Sequence, residues 1–496
     1  MDKISENVLA YFSQISAIPR GSGSETRIRE WLAAWGRERR FSITPDLAGN
    51  VLISVPASKG TENAPPLALQ CHMDMVCEKT PESNHNFNVD PIRLVHDGEW
   101  LRADGTTLGA DNGIGMALAL AVASADTVRH PALELLFTVD EETGLTGAKR
   151  LGPELLRAKT LINIDSEDEG VFTVGCAGGR NTEISLDTAT AAPPRGFETV
   201  TITVAGLAGG HSGVGINRVH GNANVILVRF LATIVQDLGV GIARMAGGSA
   251  HNAIPRDAVA VVFCDPIRTD TLIERGLLFS DEVRGELRGS EPGFQLTCER
   301  GVSAAVAAAV GESLTSVLRD EDVVRVLGLL RAVPHGVWRM SPDIAGLVQT
   351  STNFATVSFN SGSAPGPARV AVLTSQRSSV MSELADIGGL VADIARLAGG
   401  KAAVSVEYPA WQPDLQSPLL ARCSETYRGL FGDEAVIEVV HAGLECGVIG
   451  AARPGMDMIS IGATIRGAHS PGKRVFVPSI AKVARLLSAL IASYAA

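Results

Sequence analysis

Two histidines and several carboxylates stand at the ends of apolar runs in this chain of 496 residues. The run LALQC leads into His72-Met73-Asp74, LELLFTVD into Glu141-Glu142, and LINI into Asp165, while MISIG reaches His469 after a short loop. Asp111 lies in LGADNG, immediately before the apolar stretch GIGMALALA. Two histidines and three carboxylates with no cysteine form a nitrogen and oxygen donor set that suits zinc first, and manganese or cobalt as well. If one carboxylate bridges, each of two divalent ions receives a histidine and a terminal carboxylate and keeps a position open for water. Such a pair, roughly 3.5–4 Å apart, polarises a carbonyl and activates water together. The chemistry this predicts is metal-assisted hydrolysis.

Each residue also has a plainer reading. His72 and His469 taken singly are ordinary hydrogen-bonded histidines, Glu141-Glu142 a charged turn, and Asp111 a helix cap. Their coincidence at successive strand ends favours the metal reading, because packing alone does not require it. The paired glutamates offer a division of labour, one binding metal and its neighbour taking a proton from water as general base. The residues by themselves leave open which does which. Asp74 follows His72 by two positions, so on extended chain it faces the same side and can accept the ring proton of that histidine.

Groups that are to meet need elements that carry them to one place. NVLISV, PLALQC, ALELLFTV and TLINI read as short strands, alternating with a helix over GIGMALALAVASA and another around GAKRLGPELL. This alternation predicts an α/β sheet with helices on its faces, whose functional groups collect beyond the carboxyl ends of the strands. Residues 1–40 read as two helices, the second capped by Ser22 or Ser24. Composition shifts at TATAAPPRGFE, with Pro193-Pro194, and at YPAWQPD. Between them, ETVTITVAGL, NANVILVRFLATIVQDL, DAVAVVFC, FQLTCE, TNFATVSFN and RVAVLTSQ predict an α+β insertion. VIEVVHAGLECGVIG, MDMISIGA and SIAKVARLLSALIASY then return to the first style, so the first domain is expected to be discontinuous.

Composition bounds the function classes. Hydrophobic residues make up 45% and charged ones 20%, a globular balance, and no run approaches the roughly 20 apolar residues of a membrane span. The start of the chain has neither the basic region nor the apolar core of a signal peptide, so a soluble cytoplasmic protein is expected. Seven cysteines without a C-x-x-C pair indicate no disulfide framework and no thiolate metal site. A net charge of -11 without a basic block argues against nucleic acid or an anionic membrane as partner.

LQCHMDMV, LGADNGIGMA, FTVDEETGLTGA and INIDSEDEG together resemble the M20 metallopeptidases in order and spacing. HAGLECGVIG, GGHSGVGINR and IGATIRGAHSP narrow the resemblance to the bacterial cytosolic aminoacyl-histidine (Xaa-His) dipeptidases of that family. The resemblance implies a discontinuous zinc-peptidase catalytic domain over residues 1–181 and 409–496, a mixed sheet flanked by helices, with an inserted α+β lid domain over 182–408. It makes Asp111 the bridging ligand, His72 with Asp165 the partners of one ion, and Glu142 with His469 those of the other. Glu141 becomes the general base and Asp74 the support of His72. His211, on the glycine-rich turn GLAGGHSGVGINR, is implied to close over the site and donate to the developing oxyanion. Asn252 and Arg377 match positions that contact the substrate carboxylate or backbone, and a guanidinium fork suits a free carboxylate. In HAGLECG, His441 and Glu445 follow the strand VIEVV within the returning catalytic domain. Glu445 is the candidate for the ammonium of an unblocked dipeptide. A small peptide substrate and a homodimer formed through the lid are also implied. The alternatives are a deacylase or carboxypeptidase acting on N-acyl amino acids with the same metal ligands, and a metal-free binding module that retains the fold.

Overall fold

Strands buried on both faces read as unbroken apolar runs, and Leu67–His72 and Leu133–Thr138 are buried at every residue. The structure, a computed structural model, describes residues 3–152, 154–287, 289–310, 314–467 and 469–495, without the side chain of Val310. The chain divides into two units, one comprising Met1–Cys176, Trp411–Val440 and Leu444–Ala496, the other Ala177–Ala410 and His441–Gly443.

The first unit is built on an eight-stranded mixed sheet in the order Ser42–Pro45, Val51–Val55, Leu133–Thr138, Leu67–His72, Thr160–Asn163, Asp457–Ser460, Val171–Cys176 and Val436–Val440. From Leu133–Thr138 to Asp457–Ser460 the neighbours are parallel, whereas Val51–Val55 joins antiparallel. Register sets His72 opposite Thr138 and Gln70 opposite Asn163, so the carboxyl ends of these strands open on one edge. Helix Ala110–Ala123, buried along nearly its whole length, packs on Leu67–His72 and on the helices Lys3–Ser16 and Val477–Ser493. An all-round apolar helix needs such cover. A separate cluster joins Ala68, Leu136, Leu161 and Met458 of the sheet with Ala148, Cys446 and Ile449.

Two local expectations fail here. Among the described residues of GAKRLGPELL, helix is confined to the single turn Thr146–Lys149. The chain after it is held instead by Glu134, whose Oε2 accepts from the amides of Arg157 and Ala158 at 2.9 Å. Helix Thr26–Glu38 begins at Glu25 without a side-chain cap bond, because Ser22 donates its hydroxyl to Asp74 Oδ2 at 2.7 Å.

In the second unit an antiparallel sheet runs Gln295–Arg300, Glu198–Ala205, Ala258–Cys264, Gly241–Gly247, Val348–Asn360, Pro367–Ser378, Gly178–Ala191 and Val317–Leu318, with Gly336–Met340 and Lys401–Tyr408 as further strands. Helix Ala223–Leu238 is capped by Asn222, which accepts from the amides of Asn224 and Val225, and ends on left-handed Gly239. Its apolar face supplies Leu227, Phe230, Leu231 and Ile234 to the core. Pro193-Pro194 lies between two strands of this unit and not at a boundary. The strand Gly178–Ala191 pairs along its length with Pro367–Ser378, which draws the break back to Cys176. His441, expected in the catalytic domain, belongs to the second unit, where Ser351 Oγ lies 2.8 Å from its Nε2. Among the described residues no helix is long and apolar enough to cross a membrane.

Arg20 joins the segments that carry the candidate ligands. It is 1% exposed, and its Nη1 donates to the carbonyls of Met73 at 2.8 Å and Asp74 at 2.7 Å, while Nη2 donates to that of Gly109. Gly109 has φ +67°, and a Cβ there would lie 2.6 Å from Nη2 and 2.8 Å from Met75 Sδ, so no side chain fits. Replacing Arg20 by Leu strands the carbonyls of Met73 and Asp74 at about 1–3 kcal/mol each, while that of Gly109 keeps the Gly113 amide at 3.1 Å. Urea denaturation of Arg20→Leu is expected to show a loss of about 2 kcal/mol or more, and a change within about 0.5 kcal/mol, the range of a surface substitution, would contradict this role.

Candidate metal centre

His72 closes its strand with a ring that is 1% exposed. Nδ1 lies 3.2 Å from Asp74 Oδ1, and Nε2 lies 2.9 Å from Asp111 Oδ1 and 3.4 Å from Asp165 Oδ1. Asp74 does more than its spacing promised. Besides His72 and Ser22, it accepts from the amides of Glu141 at 3.0 Å and Glu142 at 3.2 Å, so it orients the histidine and anchors the paired glutamates at once. Burial pushes its carboxyl up, but the bonds from His72, Ser22 and the Glu141 amide prevail and hold it at about 2. It is ionised and an acceptor throughout the neutral range.

Asp111 sits in the first turn of Ala110–Ala123 with non-helical angles, and the cap position is Gly109. It is therefore not a capping residue. Its two oxygens face different groups: Oδ1 faces His72, and Oδ2 lies 3.5 Å from His469 Nε2 and 2.9 Å from Lys473 Nζ. His469 also lies 3.1 Å from Glu142 Oε2, and its φ of +58° is a left-handed value uncommon outside glycine. Asp165, just beyond Thr160–Asn163, is held by Asn112, whose Nδ2 donates to Asp165 Oδ1 and, at 2.7 Å, to the Ile164 carbonyl.

His72, Asp111 and Glu142 each offer an atom within 4.8 Å of the others. Asp165 adjoins the group through His72, and His469 through Glu142. Hydrogen bonds from His469 to Asp111 and Glu142 raise the pKa of His469 to about 10. For Asp165, burial raises it to about 6. At neutral pH the His469 ring thus carries a proton where a cation would stand, and binding a cation would release it. Glu142 Oε1 is buried with no hydrogen-bond partner among the described residues, which is where a Lewis acid would satisfy it. The imidazole nitrogens and carboxylate oxygens present are donors of the kind that fit a divalent ion.

Glu141 heads the turn Glu141–Gly144 that follows Leu133–Thr138. Burial raises its pKa well above the usual carboxylate range; His72 opposes this, and the charges of Asp165, Glu445 and Glu142 add to it. Glu445 is 1% exposed. Its Oε2 accepts from Gln70 at 2.6 Å and Thr138 at 2.8 Å, and its Oε1 has no partner among the described residues. Burial lifts it to about 7.

The remaining candidates lie in the second unit. His211 Nδ1 accepts from the amides of Gly213 at 3.2 Å and Val214 at 3.3 Å. Burial, then Arg377 and His251, lower it to about 4. The ring is neutral at pH 7 with its proton on Nε2. His441 is likewise lowered to about 3 by burial, Arg377 and His211. Arg377 is buried, its Nη1 donating to the Tyr408 hydroxyl at 2.8 Å, while its Nε has no partner among the described residues. Asn252 is exposed on a turn whose carbonyl accepts from the Ser212 amide at 2.8 Å. It shares with His211 the wall of a cavity of about 750 Å³.

Arg20, Asn112, Lys473 and Tyr408 were not singled out by the sequence. Asn112 lies inside LGADNG, and a polar residue between Asp111 and an apolar helix was the available signal. For Arg20, Lys473 and Tyr408 there was none, because their partners lie 31 to 362 positions away.

Residues 68–493 match the profile of peptidase family M20/M25/M40. The cytosol non-specific dipeptidase of Escherichia coli strain K12 is 40% identical over 481 residues, 97% of this chain and 96% of that one. Among solved structures, the aminoacylhistidine dipeptidase of Vibrio alginolyticus is similar at TM-score 0.89 and 37% identity, covering 99% of this chain and 98% of that one. Aminopeptidase PepT of Bacillus cereus, 16% identical at TM-score 0.60 over 99% of each chain, shares the fold. With candidate ligands at its strand ends and a family match that spans both units, the chain belongs to peptidase family M20/M25/M40.

Proposed function

We propose that the protein is a metal-dependent dipeptidase acting on unblocked dipeptides, with Xaa-His, β-alanyl-histidine included, as the preferred class. The observation that carries the reading is the disposition of His72, Asp165, Glu142 and His469 about the two oxygens of Asp111. Two similar proteins bear dipeptidase names, one of them for aminoacyl-histidine substrates. His72, Asp165 and Asp111 would hold one divalent ion, and Glu142, His469 and Asp111 the other, zinc being the first choice. When bound, the ions polarise the scissile carbonyl and acidify water. Glu141 takes the proton of the attacking water and later delivers it to the leaving amine. Asp74 keeps the His72 ring in place. His211 acts as a neutral donor through Nε2–H to the oxyanion, and Arg377 offers its fork to the free carboxylate, with Asn252 and His441 as neighbouring contacts. Glu445, with an unpartnered buried oxygen, supplies the charge that receives the substrate ammonium.

Chelation is expected to abolish dipeptide hydrolysis, with zinc, manganese or cobalt restoring it. Glu141→Gln is expected to bind metal normally yet lose about 10²–10⁴ in kcat. A metal-loaded Glu141→Gln that turns over at the wild-type rate would remove Glu141 from the mechanism. Alanyl-histidine and β-alanyl-histidine should be cleaved in preference to N-acetyl-histidine, and Glu445→Gln should raise KM for the unblocked substrates. Preference for the acetylated compound would favour the deacylase reading instead.

His211 binds a proton more weakly in the fold than in the unfolded chain, so its contribution to stability is constant above about pH 6.5 and declines as pH falls toward 4. Nitrogen NMR of histidine-labelled protein, with the His211→Gln spectrum for assignment, should show an Nε2–H tautomer that holds until pH approaches 4. A midpoint near the ordinary histidine value would refute the neutral-donor role.

A further inference from the structure

Lys473 brings a permanent positive charge into the carboxylate cluster. It is 2% exposed, and its Nζ lies 2.9 Å from Asp111 Oδ2 and 3.4 Å from Glu167 Oε1. Asp111 Oδ1 faces the His72 ring instead, so the two oxygens of the bridging carboxylate are not equivalent. Solvent divides the same way: the His72 side chain is 1% exposed and that of His469 56%.

We propose that Lys473 makes the two metal positions unequal. The cation held by His72, Asp165 and Asp111 Oδ1 binds first and tightly, and the cation at Glu142, His469 and Asp111 Oδ2 binds more weakly and exchanges. This rests on the two-ion reading above. An oxygen that already accepts from an ammonium has less charge to offer a metal, and the buried ammonium repels a second cation directly, at short range. Groups that hydrogen-bond to metal ligands shift metal affinity by about 10–100-fold. Open solvent at His469 gives the second ion a route in and out, which the buried His72 half does not share. Occupancy of the second position would then follow the free metal concentration while the first stays filled.

The test is a zinc titration of stripped, full-length wild type, Lys473→Gln, Lys473→Met and Lys473→Arg in competition with a chromophoric chelator, with cobalt absorption as a second readout. Two neutral variants are carried so that the result does not depend on one replacement folding. Wild type is expected to bind two equivalents separated by about tenfold or more in affinity. In the neutral variants the second step should tighten by about 10–100-fold with the first unchanged, and Lys473→Arg should resemble wild type. An unchanged second step in the neutral variants, or an equal shift of both steps, would overturn the role of Lys473. Two equivalents of equal affinity in wild type would overturn it too, while leaving the two-ion reading intact. A single equivalent in every variant would overturn both.

Discussion

Carboxylates gathered out of water repel one another and lose hydration, so a fold that buries several must supply donors and cations to match. Asp74, Asp111, Glu142 and Asp165 are gathered in this way, and much of the first unit is arranged around them. Asp74 draws on a histidine, a serine and two backbone amides. Asn112 holds Asp165, Lys473 holds Asp111, and Arg20 binds the carbonyls of the segments that bear Asp74 and Asp111. Of these four carboxylates, Glu142 has a buried oxygen, Oε1, with no hydrogen-bond partner among the described residues, which a metal would complete.

The sheet decides which carboxylates meet. Parallel strands end on the same edge, so residues far apart in sequence arrive together without long arms. Because His72 and Asp165 end or follow strands that pair directly, their separation is set by backbone register rather than by side-chain flexibility. Rigid strand ends of this kind position reacting groups more tightly than loops do.

Histidine serves opposite ends in the two units. Beside Asp111 and Glu142, His469 is pushed to about 10, ready to exchange its proton for a cation. Buried near Arg377, His211 and His441 are lowered to about 4 and 3. Carboxylates raise a histidine, whereas burial and a guanidinium lower it, so one residue type offers candidate metal ligands in one unit and neutral hydrogen-bonding groups in the other.

The apolar runs and the types and order of the candidate ligands are local properties, and so the parallel strands, and the grouping of His72, Asp74, Asp111, Glu142, Asp165 and His469 near one another, could be anticipated from the sequence. Periodicity and strand-end position carry that information without knowledge of any neighbour. Where a competing partner was distant, the local reading failed. Ser22 forgoes its helix for Asp74, the segment after Ala148 gives up helix to Glu134, and His441 leaves the strand it follows for Ser351. The tertiary structure also decided that Asp74 serves the paired glutamates, that Asp111 presents unlike oxygens, and that Arg20 and Lys473 neutralise the cluster. These depend on which charged and polar groups are buried side by side, and burial couples residues across hundreds of positions through desolvation and short-range electrostatics that no window of sequence contains.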